Sequence, residues 1–187
     1  MITTPDRIAG DSGHPEGSDE EQIADRVALT DVFTSECIET LHSSSTKVDV
    51  IRGLVQLLVK QDRLPPDHAE AIIGKLVGRE GYGSSAIGKG LAFPHLRTIE
   101  VQKFVGAIGV APEGIHFESL DHEPTKLVFL TLSPLASRRK HINLLSRLVG
   151  FMRDKVMNMQ MNHPIKPQDI YQYLHDLDDQ SGVAGKS

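Results

Sequence analysis

The sequence has a single cysteine, Cys37, in 187 residues, so it forms no internal disulfide and suits a reducing compartment such as the cytoplasm. No apolar run approaches the ~20 residues a membrane-spanning helix needs, which argues against direct membrane insertion. Residues Met1 to Gly17 lack the basic start and following apolar stretch of a secretory signal. Positive charge is also in deficit, with 20 Lys and Arg against 25 Asp and Glu and a net charge of −5. Non-specific nucleic-acid affinity comes mainly from phosphate neutralisation by Lys and Arg, so no nucleic-acid partner is expected and any basic site is local. The one basic cluster is Arg138-Arg139-Lys140, which leads directly into His141. No internal repeat is present.

What remains reads as one globular domain with two tails. Residues 1–28 are rich in Gly, Ser, Asp, Glu and Pro, with isolated Ile2, Ile8 and Ile23. Such a segment buries too little apolar surface to offset its own ordering, so it is expected to be a flexible tail with a helical turn near Ile23. The domain spans 29–178, and residues 179–187 are expected to fray. Cys37 to His42 alternates apolar and polar residues as a strand does, and Ser43-Ser44-Ser45-Thr46 supplies helix-capping side chains. Val48, Ile51, Leu54, Val55 and Leu58 predict a helix from Lys47 to about Gln61. Pro65-Pro66-Asp67 opens a second helix through Ala69, Ile72, Ile73, Leu76 and Val77 to Glu80, broken by Gly81 and Gly83.

Strands are predicted at Ile87–Phe93, Phe104–Val110, Ile115–Phe117 and Lys126–Leu132. Ser137 is placed to cap a helix with Ile142, Leu145, Leu148, Val149 and Met152 on its apolar face. Val156–Met161 predicts a further turn or two. Pro167 opens a last helix over Gln168–Leu177, with Ile170, Tyr171, Leu174 and Leu177 on one side. The sum is an α/β fold, a three-layer α/β/α sandwich around a small mixed sheet.

Two familiar motifs are approached and missed. Gly83-x4-Gly88-Lys89 resembles a phosphate-binding P-loop, but Gly90 stands where a Ser or Thr must hold magnesium. A helix also precedes the loop where a strand should. Nine histidines raise the question of a metal, yet none follows H-E-x-x-H spacing and Cys37 has no partner, so no metal is expected. His95 stands apart from the rest. The glycine-rich loop runs through Leu91-Ala92-Phe93-Pro94 into it, and Pro94 restricts the backbone on both sides of itself.

The ordered set Arg79-Glu80, Gly88-x-Gly-Leu-Ala-Phe-Pro-His95, Gly114-Ile115-x-Phe117, Lys126-Leu-Val-Phe-Leu130 and His141-Ile-x-Leu-Leu-Ser146 resembles a known family. It is the enzyme IIA domain of the bacterial phosphoenolpyruvate-dependent sugar phosphotransferase system, in its fructose, mannitol and nitrogen-regulatory (type 2) branch. The resemblance covers about Leu29 to Leu177. It implies that His95 accepts a phosphoryl group from a histidine-containing phosphocarrier protein and passes it to a IIB-like partner or uses it for regulation. It also implies that His141 and Arg79 share the site and that no cofactor is required.

The residue chemistry agrees with these roles. A neutral imidazole is a competent nucleophile near pH 7. Phosphoryl transfer asks the protein mainly for position and positive charge, which Arg79 supplies through a planar fork of donors. His141, in the first turn of its helix, is placed to orient and stabilise the phosphoryl group. Ser84 and Ser85 are read as loop capping. Leu96 departs from the family, where glycine usually follows the phosphorylated histidine, and is expected to add bulk beside the nucleophile. That bulk favours an alternative, a regulatory protein-binding module of the same fold that does not transfer phosphate.

Overall fold

The computed structural model describes residues 26–159, 166–180 and 182. In chain order these form α1 (Leu29–Val32), a 3-10 turn (Ser35–Cys37), β1 (Ile38–Thr40), α2 (Lys47–Lys60) and α3 (Pro66–Tyr82). There follow β2 (Ala86–Gly88), β3 (Leu91–Ala92), β4 (His95–Thr98), β5 (Val105–Ile115), β6 (Thr125–Pro134), α4 (Arg138–Met159) and α5 (Pro167–Gln180). The expected turn near Ile23, the last two residues of Val156–Met161 and the end beyond Gly182 lie outside the described residues.

Local chemistry sets the helix boundaries. Thr46 and Asp49 form a reciprocal capping box at the start of α2, each side chain accepting the other's backbone N–H. Pro66 occupies the first position of α3, where a missing N–H is harmless. Gly81 stays within α3, and Gly83 ends it. In α4 the buried face is turned about one residue from the predicted one. Leu144, Leu148 and His141 point inward, whereas Ile142 is 52% exposed. Val48 in α2 is likewise exposed, and Val50 is buried in its place.

The sheet is mixed, with strand order β1-β5-β6-β3-β2 and β4 paired to β6 beyond the end of β3. β1 runs parallel to β5, β5 antiparallel to β6, and both β3 and β4 parallel to β6. Period-2 alternation along β6 divides the core in two. Val128, Leu130 and Leu132 pack with α2 and α3, while Leu127 and Phe129 pack with α1, α4 and α5. Phe129 anchors the second core, stacked on Phe93 at 5.4 Å and edge-on to Phe33 at 5.9 Å. Phe33 rests on Gly106, where a Cβ would come within 2.3 Å of its ring, so that strand position must be glycine.

Three strand expectations are corrected. Cys37 belongs to the 3-10 turn, and the first strand is confined to Ile38–Thr40. The predicted Ile115–Phe117 strand is not separate, because Ile115 ends β5. The single strand expected at Ile87–Phe93 is a hairpin, β2 against β3. Gly88, Lys89 and Gly90 all have positive φ there, the left-handed backbone that glycine adopts without cost. Asp121 closes the turn by accepting the Lys89 N–H at 2.7 Å. Of the P-loop-like pattern, Gly88 and Lys89 therefore lie in a tight turn and Gly83 ends α3.

Candidate functional site

The hairpin delivers the chain to His95, which opens β4 instead of ending the preceding strand. In parallel register His95 lies opposite Thr131 and Arg97 opposite Ser133. Alternation puts all four side chains on the sheet face covered by α4. The intervening Leu96 goes to the other face and packs on the α2/α3 core. The expectation that Leu96 stands beside the nucleophile is thereby corrected: strand alternation sends it through the sheet.

His95 is half-buried, and its ring is held at one edge by an Nδ1 hydrogen bond to the Phe93 carbonyl at 2.7 Å. A carbonyl only accepts, so Nδ1 carries the proton and Nε2 keeps its lone pair. Burial lowers the His95 pKa; the Phe93 carbonyl opposes that shift, Arg79 reinforces it and Glu80 opposes it. The ring is therefore neutral near pH 7, the state a nucleophile requires.

His141 is buried against it, with ring centroids 5.3 Å apart and planes tilted by 48°. Its Nδ1 shares a 2.7 Å hydrogen bond with the Ser133 hydroxyl. Burial pushes the His141 pKa down to about 4, with further lowering from His95, Arg97 and Arg79. His141 is thus a neutral hydrogen-bonding group near pH 7, with no cationic charge of its own. Positive charge comes from the arginines.

Arg79, in the last turn of α3, donates from Nη1 to the backbone carbonyl of His95. Its charge acts on both imidazoles. Arg97 donates to the Leu135 carbonyl at 3.1 Å. Arg79, His95 and His141 are thus brought together, and a cleft of about 270 Å3 beside His95 is walled by Arg79, Glu80, Ser85, Ile87 and Leu145.

Sequence reasoning missed three contributors. Glu80, whose place beside Arg79 in the sequence signals no role, is buried, accepts the Ser85 N–H at 2.9 Å and faces Lys47 Nζ at 3.6 Å. Ser133 and Arg97 carry no local signal at all, because only the β4/β6 register brings them to the histidines. Ser84 acts as loop capping, bonding the Phe117 carbonyl and the Ala86 N–H. The buried Ser85 hydroxyl has no hydrogen-bond partner among the described residues and belongs to a residue lining the cleft.

Solved structures share this architecture. The nitrogen regulatory protein IIA-Ntr of Neisseria meningitidis superposes with a TM-score of 0.67 at 24% identity, over 78% of this chain and 98% of that one. The mannitol IIA of Escherichia coli gives 0.60 at 22% identity, over 75% and 96%. The fold is therefore that of a type 2 enzyme IIA. The family description "Phosphoenolpyruvate-dependent sugar phosphotransferase system, EIIA 2" matches residues 31–176, and the chain belongs to that family. A nitrogen regulatory protein of Bradyrhizobium diazoefficiens is 31% identical over 78% of this chain and 94% of its own length. A fructose-specific EIIA component of Haloferax volcanii is 33% identical over 64% and 79%.

Proposed function

We propose that the protein is a cytoplasmic phosphocarrier whose His95 Nε2 accepts a phosphoryl group from a histidine-containing phosphocarrier protein. The group then passes to a IIB-like partner or serves as a regulatory mark. The observation that carries this reading is the Phe93 carbonyl on Nδ1, which leaves Nε2 as an unprotonated lone pair beside Arg79 and the second imidazole. In the transfer, the Nε2 pair forms the new N–P bond while the donor's N–P bond breaks and its electrons return to the donor imidazole. No proton needs to move. Nδ1–H stays on the Phe93 carbonyl, which stabilises the positive charge the ring gains as Nε2 bonds phosphorus.

The protein's remaining task is electrostatic. Charge spreads over the three equatorial oxygens, and fixed donors aimed at them lower the barrier. Arg79 supplies the cation and His141 a hydrogen bond. No helix among the described residues is long and apolar enough to cross a membrane, which suits a carrier that shuttles between protein partners. The relative of Bradyrhizobium, matched over nearly all of its length, favours the nitrogen-regulatory form of this role. The inward course of Leu96 removes the steric argument for a module that binds without transferring.

The test is incubation with phosphoenolpyruvate, enzyme I and the phosphocarrier. An acid-labile gain of one phosphoryl group, lost in His95→Ala, is the expected result. A folded protein that gains none from this relay or from phosphoramidate is not a carrier.

A further inference from the structure

We infer that Ser133 is a positioning residue that sets the tautomer of His141, so that the two imidazoles of the site hold their protons on opposite ring nitrogens. The argument begins with the burial of Ser133, whose side chain is inaccessible to solvent. Among the described residues its hydroxyl makes one hydrogen bond, the 2.7 Å contact to His141 Nδ1. A hydroxyl has one hydrogen to place, and two polarities are available.

If Nδ1–H donates to Oγ, the hydroxyl hydrogen is left buried without an acceptor, a polar group taken from water and given nothing in exchange. If Oγ–H donates to Nδ1, both groups are satisfied. The second arrangement leaves the His141 proton on Nε2, the nitrogen with no hydrogen-bond partner among the described residues. His141 is therefore an N–H donor at Nε2.

His95 is fixed the other way by a different element. Its Nδ1 donates to the Phe93 carbonyl, and its Nε2 carries the lone pair. Two rings 5.3 Å apart thus present one lone pair and one N–H. For a phosphoryl group entering between them, that pairing supplies a nucleophile for phosphorus and a donor for one of its oxygens. The reverse tautomer of His141 would turn a second lone pair toward an anion and repel it. The β4/β6 register is what brings Ser133 to this place, opposite Arg97 and two residues beyond Thr131.

The purpose of this arrangement rests on the phosphoryl-acceptor reading, but the proton placement does not, so the two are tested apart. Long-range proton–nitrogen correlation NMR of the unphosphorylated protein reads each histidine tautomer directly. The expected result is Nε2–H for His141 and Nδ1–H for His95. Finding Nδ1–H on His141 overturns the assignment whether or not His95 accepts phosphate. In Ser133→Ala, His141 is expected to lose its single tautomer, and phosphorylation by phosphoramidate, which needs no protein docking, to slow about tenfold, the scale on which outlying partners of a reactive imidazole act. Ser133→Thr keeps the hydroxyl and is expected to restore both readouts. A Ser133→Ala protein with an unchanged His141 tautomer, or with an unchanged rate, refutes the positioning role.

Discussion

His95 and Leu96 are consecutive residues on opposite faces of the sheet, the first beneath α4 and the second against the α2/α3 core. Replacing Leu96 therefore acts on stability and leaves docking untouched. Leu96→Gly removes a half-buried side chain and loosens the short strand that carries His95, the proposed nucleophile. The expected loss is about 2 kcal/mol, read from urea unfolding. Faster phosphorylation in this variant would instead place the leucine on the docking face.

Arg79→Ala is expected to slow phosphorylation of His95 about 100-fold, the scale on which removing a fixed donor to the charge of a transition state acts. Only a surface arm and one hydrogen bond to the His95 carbonyl are lost, so thermal unfolding should move little. An unchanged rate would leave Arg79 without a role in transfer.

His141 predicts how stability depends on pH. Folded, it binds a proton only near pH 4, whereas unfolded it does so near 6.5. As pH falls below 6.5 the unfolded chain takes up the proton first, so stability is complete above that value and declines toward 4. Allowing for partial solvent screening, the loss is on the order of 2 kcal/mol. Urea midpoints between pH 7 and 4.5 should slope accordingly, and His141→Gln should flatten that slope.

Asp178 ties the last helix to the first. Its carboxylate accepts the N–H groups of Leu29 and Thr30, both at 2.9 Å, and pairs with Arg147 at 3.1 Å, with almost no access to water. Asp178→Ala leaves the mostly buried Arg147 guanidinium without its counter-ion, holding only the Val27 carbonyl among the described residues, and two amides without their acceptor, and is expected to cost about 3–5 kcal/mol. Hydrogen exchange at Leu29 and Thr30 should accelerate first. Exchange at these amides unchanged from the parent would show that the tie is not what orders α1.

Much of the fold is legible in the chain because helices are written locally. Apolar spacing marks α2, α3 and α5, and Thr46 with Asp49 states the start of α2 within four residues. The buried face of α4 is less legible. His141 counts as polar in any periodicity, so a pattern read from apolar residues alone chooses Ile142. The structure prefers His141 because Ser133 waits beneath it to satisfy the ring.

The sequence by itself determined the local setting of the proposed nucleophile: a proline-held histidine after a glycine turn, an arginine ending a helix, and a second histidine in the first turn of another. Those features depend on residues close together in the chain, where propensity, capping and turn chemistry act directly. Only the tertiary structure decided which way the side chains face and where their protons sit. His95 meets Thr131 and Arg97 meets Ser133 across 36 residues, through parallel pairing with no local signature. That register sends Leu96 to the far core and brings a hydroxyl to His141, because a strand's side chains alternate and a one-residue shift would exchange the two faces.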